Sequence, residues 1–310
     1  MLNLPNDSRV LVVSHDAGGA EIVSSWVSHN SEYDFNFVLD GPAVGIFRKK
    51  LGNISVLQPD DLTSALIDVA DVVFTSTSWG SDIERRAIGL ARAGCVYSIS
   101  FLDHWCNYEV RYETEDGLVL PNEIWVGDEV ALEISKKCFP DVAMKLVDNP
   151  YFMDIKTEFS KLSKNVSNSN SPFRVLYICE ATAEAGQFLP SGEWLEYKSM
   201  DLFLDQLKKI SKGTDVLVHI RAHPAESDGK YERYIGRRNN IIVEMACDNS
   251  LVENCHWADW IIGMNSMALV VAMLGGKKVY YCNIGQEKPK NIPSSGMENL
   301  FDAIALRQYL

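Results

Sequence analysis

The chain has 310 residues, 46% of them hydrophobic and 23% charged, with a formal net charge of −13 at pH 7. That is enough for one large domain or two of about 150 residues, each with a sizeable core. The acidic balance disfavours a broad nucleic-acid footprint, since such binders usually carry a basic face, and no apolar run reaches the roughly 18 residues of a membrane-spanning helix.

The opening residues MLNLPNDSRV have neither the basic start nor the apolar core of a secretory signal. Seven cysteines are scattered without a Cys-x-x-Cys pair, and Cys95, Cys179 and Cys282 lie in apolar runs. They are expected to be reduced packing residues, and the expected compartment is the cytoplasm. Strand-length apolar runs at 10–14, 35–39, 72–75, 95–101 and 124–126 alternate with helical patterns, one of them at 128–138. Alternation of this kind implies a parallel sheet with helices on both faces. Residues 158–172 then turn polar and Ser/Asn-rich and end in Pro172, as a linker does. After them the pattern restarts. FRVLYICE reads as a strand, 200–211 as a helix, DVLVHIRAHP as strand and loop, and NNIIVEM as a further strand. ADWIIGMNSMALVVAMLGGKKVYYC reads as strand, turn, helix and strand. The expected fold is α/β, with two Rossmann-like doubly wound domains facing a cleft, at 1–157 and 173–310 around the linker 158–172.

Candidate chemistry gathers at the strand ends. The first strand runs straight into HDAGGAE, a histidine, two carboxylates and a glycine pair. Ligands of open α/β sheets bind outside the carboxyl ends of strands, so His15, Asp16, Gly18, Gly19 and Glu21 are candidates for a substrate loop. The alternative is a tight turn whose glycines serve the bend. In TSTSWGSDIERRAIGLARA, Thr77, Ser78 and Trp79 line a polar turn before a helix expected to start near Ser81, with Glu84 early in it. CVYSISFLDHWCNYEVRYE brings Asp103, His104 and Trp105 to a strand end, followed by Asn107, Tyr108, Arg111 and Tyr112. An Asp-His pair offers a proton acceptor and a donor. Trp105 and Tyr108 either wall a sugar or base or belong to the core.

In the second half, His219 alternates with apolar neighbours and is expected to be a satisfied sheet residue. His223 differs, because it follows Arg221, precedes Pro224 and lies past the strand. Arg and His together can neutralise a phosphate or carboxylate; the alternative is a plain His-Pro loop. In WIIGMNSMALVVAMLGG, Asn265 and Ser266 cap a helix opening at Met267. The first N–H groups of such a helix form an anion pocket, unless they make only an ordinary N-cap.

Several motifs are absent. The chain has no Gly-x-x-x-x-Gly-Lys-Ser/Thr loop, no Gly-x-Gly-x-x-Gly fingerprint and no Gly-x-Ser-x-Gly elbow. No metal-ligand spacing occurs either, so no metal and no cofactor is expected.

With these pieces in place, the layout resembles the GT-B superfamily, which includes nucleotide-sugar glycosyltransferases and UDP-N-acetylglucosamine 2-epimerases. SFLDHWCNY stands where epimerase-like members carry His-x-Glu-Ala-Gly, and lacks that segment. The family's Thr-Glu and Gly-Asn-Pro…Asp elements are similar to Asp128-Glu129 and Asp148-Asn149-Pro150…Asp154. The second half resembles bacterial capsule and lipopolysaccharide transferases of sialyl and Kdo type. Their His-Pro motif matches His223-Pro224, and their Ser/Thr-Ser pair matches Asn265-Ser266 in part. The acidic-Gly motif of polysialyltransferase relatives has no clean copy, and the Glu-x-x-x-x-x-x-Glu of retaining enzymes is missing.

The resemblance implies a metal-independent inverting glycosyltransferase of bacterial surface polysaccharide synthesis, using a CMP- or UDP-linked sugar. Asp16 is then the expected base, Asp103 its rival, and His15 or His104 the assistant. Arg221, His223, Pro224, Asn265, Ser266 and Met267 would hold the donor. His15, Gly18, Gly19, Glu21, Ser78, Trp79, Trp105 and Tyr108 would meet a glycan or lipid-linked acceptor. No nucleic-acid partner is expected, peripheral membrane association is compatible with this reading, and the oligomeric state stays open. An epimerase or hydrolase of the same fold and a non-catalytic binding protein are the alternatives.

Overall fold

The computed structural model describes residues 4–163, 171–183, 189–210, 215–224, 226–285, 287–289 and 292–307. By its contacts the chain divides into two compact units, Met1–Asp154 and Ile155–Leu310.

The first unit runs β1 (Arg9–Ser14), α1 (Ala17–Ser28), β2 (Asp34–Leu39), α2 (Pro42–Leu51), β3 (Val56–Leu57), α3 (Ser64–Asp68), β4 (Val72–Thr75), α4 (Ile83–Ala93) and β5 (Tyr97–Leu102). A hairpin of β6 (Glu113–Thr114) and β7 (Gly117–Leu118) precedes β8 (Glu123–Val126), α5 (Glu129–Cys138), β9 (Ala143–Leu146) and α6 (Pro150–Lys161). The sheet order is β3-β2-β1-β4-β5-β8-β9, and every neighbouring pair is parallel. Parallel neighbours need a crossover, here mostly helical. Successive side chains of a strand point to opposite faces, so β1 feeds two cores. Val10 and Val12 pack with Ala20, Val23 and Trp26 of α1 and with Phe47 of α2. Leu11 and Val13 pack with Ile67 of α3 and with Ile83, Ala87 and Ala91 of α4. Trp26 meets the Phe74 ring edge-on at 4.6 Å. Aromatic pairs of that geometry add about 0.5–1.5 kcal/mol to the burial itself.

The second unit contains β10 (Phe173–Ile178), α7 (Leu195–Ile210), β11 (Val216–Arg221), β12 (Gly236–Arg238), β13 (Ile241–Met245), α8 (Leu251–Trp257), β14 (Trp260–Gly263), α9 (Met267–Leu274), β15 (Lys278–Tyr281), β16 (Glu298–Asn299) and α10 (Leu300–Arg307). Its order is β12-β13-β11-β10-β14-β15-β16, with only the edge strand β12 antiparallel to its neighbour. Met200, Phe203 and Leu207 of α7 and Leu300 and Ile304 of α10 cover one face, while α8 and α9 pack against β10 and β14 on the other. Each sheet reverses its strand order once, between β1 and β4 and between β10 and β14. At such a switch point the loops leave in opposite directions and open a crevice at the strand ends.

The structure corrects several sequence expectations. The strand expected at 95–101 begins at Tyr97, because Cys95 is left-handed at φ +55° in the turn that ends α4. Cys95 is therefore exposed, whereas Cys179 and Cys282 are buried. The stretch 158–172 read as a linker is helical through Lys161, and 164–170 lie outside the described residues. The unit division falls inside α6. Helix 200–211 starts earlier, at Leu195, and Ser211 lies outside the described residues. His219 is the sheet residue expected, stacked on Trp257 with ring centroids 3.8 Å apart. Among the described residues no helix is long and apolar enough to cross a membrane.

Candidate functional site

At the β1/β4 switch point the residues after β1 meet those after β4. His15 Nδ1 lies 2.7 Å from Asp16 Oδ1. Asp16 Oδ2 accepts the Trp79 backbone N–H at 2.7 Å, so the turn after β4 fixes the carboxylate that orients the imidazole. With Asp16 ionised the shared proton sits on Nδ1, and Nε2 is left as the acceptor. The Asp40 carboxylate stands 3.9 Å from Nε2, beyond hydrogen-bond range. Gly41, at φ +53°, passes so close that a Cβ there would lie 2.6 Å from Nε2. A larger residue there would be strained at that φ and would push the imidazole aside. The Trp79 side chain is 56% exposed beside this dyad.

Beneath the dyad runs a buried network. Glu84 Oε1 accepts the His15 N–H at 2.9 Å and the Ser76 hydroxyl at 3.1 Å. Ser76 Oγ is 2.8 Å from Ser14 Oγ, and Ser78 Oγ is 2.8 Å from Glu84 Oε2. Burial pushes the Glu84 carboxyl above its ordinary range, against the hydrogen bonds that link it to Ser78, its own amide, Ser76 and His15.

At the end of β5, Asp103 is held rather than free. Its Oδ1 accepts Thr77 Oγ1–H at 2.6 Å and an Arg111 N–H at 3.1 Å, and the Asp103 and Arg111 side chains are 6% and 7% exposed. A buried carboxylate locked to a guanidinium in this way ties the end of β5 to the segment that carries Arg111. Its Oδ2 lies where a Cβ on Gly18 would be, at 2.6 Å, and a Cβ on Gly19 would lie 2.5 Å from the Ser76 Cβ. The glycine pair is therefore required by close approach to the β4 and β5 ends. Glu21 lies 3.9 Å from Lys50. Burial keeps His104 below its ordinary range against the pull of Asp103, and its Nδ1 is 3.3 Å from the Cys106 sulfur. Trp105 and Tyr108 are core, 7% and 2% exposed. The Trp105 indole N–H donates to Asp128 Oδ2 at 2.7 Å, and Asp128 Oδ1 caps α5. Asn149 caps α6 through Phe152 N–H at 3.2 Å, and Asp154 pairs with Lys50 at 3.0 Å.

The second switch point holds a residue the sequence reading passed over. Glu180 follows β10, and its carboxylate accepts the Asn265 backbone N–H, with Met264 and Ser266 N–H groups also serving it. The turn expected to receive a phosphate thus already holds an internal carboxylate, and Ser266 Oγ caps α9 through Ala268 N–H at 3.3 Å. Met267 is the first residue of α9 and half-buried. Burial raises Glu180 to about 7. A folded-state value above the unfolded one stabilises the fold fully only below the ordinary range of 4.5, and that stability is lost as pH rises toward 7. Glu180→Gln is accordingly expected to raise Tm relative to the native chain more at pH 8 than at pH 5, read by thermal melts at both. The signal in the sequence was the acidic residue closing FRVLYICE.

Arg221 ends β11 and donates to the Asn249 carbonyl at 3.1 Å. His223 and Pro224 are exposed, and the His223 N–H is held by Glu226 Oε2 at 2.7 Å. Glu226 belongs to a buried charge cluster that no local pattern announced. Lys230 Nζ lies 2.9 Å from Glu226 Oε1 and 2.5 Å from Glu196 Oε1, all three side chains being at most 2% exposed. Tyr231 donates to Glu226 at 2.6 Å, and Thr182 to Glu196. A cavity of about 390 Å³ opens beside Met264 and Asn265, lined also by Leu195, Asn283 and Lys288. Among the described residues no group of three or more His, Cys, Asp or Glu gathers to hold a metal ion.

No protein-family model matches the chain, and no curated protein matches it. Solved structures do. UDP-GlcNAc 2-epimerase from Methanocaldococcus jannaschii superposes with a TM-score of 0.63 at 9% identity, covering 97% of this chain and 91% of its own. UDP-GlcNAc 2-epimerase from Neisseria meningitidis bound to UDP-GlcNAc gives 0.59 at 11% identity, over 97% and 90%. Anabaena HepE in complex with UDP gives 0.56 at 12% identity, over 88% and 80%. The chain has the GT-B type of α/β fold that these proteins share, with two parallel-sheet domains.

Proposed function

We propose that the protein is a glycosyltransferase that moves a sugar from a nucleotide-sugar donor, with His15 as general base toward the acceptor hydroxyl. The observation that carries this reading is the 2.7 Å His15–Asp16 contact at the β1/β4 switch point, with Nε2 left as the acceptor. The acceptor O–H gives its proton to Nε2 as its oxygen bonds the anomeric carbon and the bond from that carbon to the phosphate oxygen breaks. The nucleotide leaves with the electron pair. Asp16 stabilises the imidazolium, as a carboxylate on Nδ1 does. This reverses the roles expected from the sequence: both Asp16 oxygens are engaged, and Asp103 is tied to Arg111.

Arg221 and His223 are the groups proposed to meet the donor phosphates, on a loop anchored by Glu226. These side chains would then stabilise the departing charge without a resident metal. Solved neighbours described as bound to UDP-GlcNAc and to UDP support a UDP-linked donor, with CMP-linked donors the alternative. The acceptor proposed is a bacterial surface glycan or its lipid-linked form.

Epimerisation is the second reading, supported by the epimerase descriptions of the neighbours. The two readings part on acceptor dependence. Incubation of a nucleotide-sugar with and without a glycan acceptor should release nucleotide only with acceptor. Conversion of the donor sugar without acceptor would favour epimerisation instead.

A further inference from the structure

We propose that Glu84 carries a proton in the working protein and acts, as a neutral carboxylic acid, as the positioning residue for the His15–Asp16 dyad. Ser78 Oγ lies 2.8 Å from the Ser81 carbonyl and 2.8 Å from Glu84 Oε2. A serine hydroxyl has one proton to donate. The carbonyl can only accept, so Ser78 donates to Ser81. A carboxylate at Oε2 would then set oxygen lone pairs against each other at 2.8 Å. A proton on Oε2 resolves the contact, with Glu84 donating to Ser78 and Ser78 to Ser81.

Glu84 Oε1 plays the opposite part. It accepts from Ser76, which in turn takes the Ser14 hydroxyl, and from the His15 backbone N–H. The acid therefore has one donating and one accepting oxygen, matched to one acceptor, Ser78, and to two donors, Ser76 and the His15 N–H, on the two segments that follow β1 and β4. Burial, with Glu84 2% exposed, disfavours the charged form. The titratable groups facing it are His15 from the end of β1 and the buried phenol of Tyr112. Among the described residues no ion pair reaches it. Because Oε1 holds the peptide N–H of His15 itself, the acid sets where the imidazole starts from, while Asp16 sets how it turns.

The proton is tested apart from activity. In protein labelled with ¹³C at the glutamate carboxyl carbons, the Glu84 resonance is assigned by its loss in Glu84→Gln. It is expected to stay at the neutral-acid position well above pH 4.5, the ordinary value. Titration with a midpoint at that ordinary value overturns the proposal. The positioning role rests on the reading of His15 as base and is tested by turnover. Glu84→Gln, whose amide donates where the acid did, should keep the native kcat and acceptor KM. Glu84→Ala should lose kcat by an amount on the order of 10²-fold, as a misplaced group does, with acceptor KM little changed. Folding of both variants is checked by circular dichroism. A Gln variant as impaired as the Ala variant overturns the positioning role. If the native protein turns over no donor, the reading of function fails, while the carboxyl resonance still decides the proton.

Discussion

His15→Gln is expected to lower kcat by about 10²–10⁴-fold, the usual worth of a positioned general base. Its Tm and its affinity for the donor nucleotide should stay close to native, because the side chain is 20% exposed and packs in no core cluster. Asp16→Asn should fall in the same direction. The amide withdraws the charge that favours the imidazolium and directs the wrong group at Nδ1. Asp103→Asn should behave otherwise. It breaks a buried pair with Arg111 at 3.1 Å, so its first effect is on stability. Single-turnover kinetics with separate melts read the contrast. Equal loss of kcat and Tm in His15→Gln would identify a structural histidine instead.

The largest stability effect is expected at Lys230. Replacing it by Met leaves the Glu196 and Glu226 carboxylates, at most 2% exposed, without their cation. Removing one partner of a buried pair costs about 3–5 kcal/mol. The neighbouring hydroxyls of Tyr231 and Thr182 can donate to the carboxylates but cannot neutralise them. Adding Glu226→Gln to Lys230→Met should recover part of the loss, since groups in one network couple. Denaturant melts of the two single variants and the double variant measure it. A Lys230→Met variant with native stability would mean that the cluster is not charged as drawn.

The sheets were legible because β1, β4, β8, β10 and β14 are runs of buried apolar residues, and such runs need no tertiary information to be seen. The two-residue strands β3 and β16 and the edge strand β12 were not. They carry too few residues for a period, and pairing alone defines them. The HDAGG turn was legible as a candidate site because its residues are consecutive. Its partners were not, since Glu84 and Trp79 reach it from beyond β4. The same distance hid the fate of Trp105. Aromatic residues after a strand read equally well as wall or core, and Asp128, on another segment, settles the matter by taking the indole N–H. Glu180 and the Lys230 cluster show the general limit. A buried charge is recognisable only from what surrounds it, and the chain supplies those surroundings from separate segments.

The most direct measurement is a thermal-shift titration with UDP, CMP, GDP and their common sugar conjugates. The Tm is expected to rise with the concentration of one nucleotide class, as binding to the folded state requires. The rise is expected to survive in His15→Gln and to be lost when Arg221 and His223 are both replaced by Ala. A flat response to every nucleotide at millimolar concentration would rule out the proposed nucleotide-sugar donor.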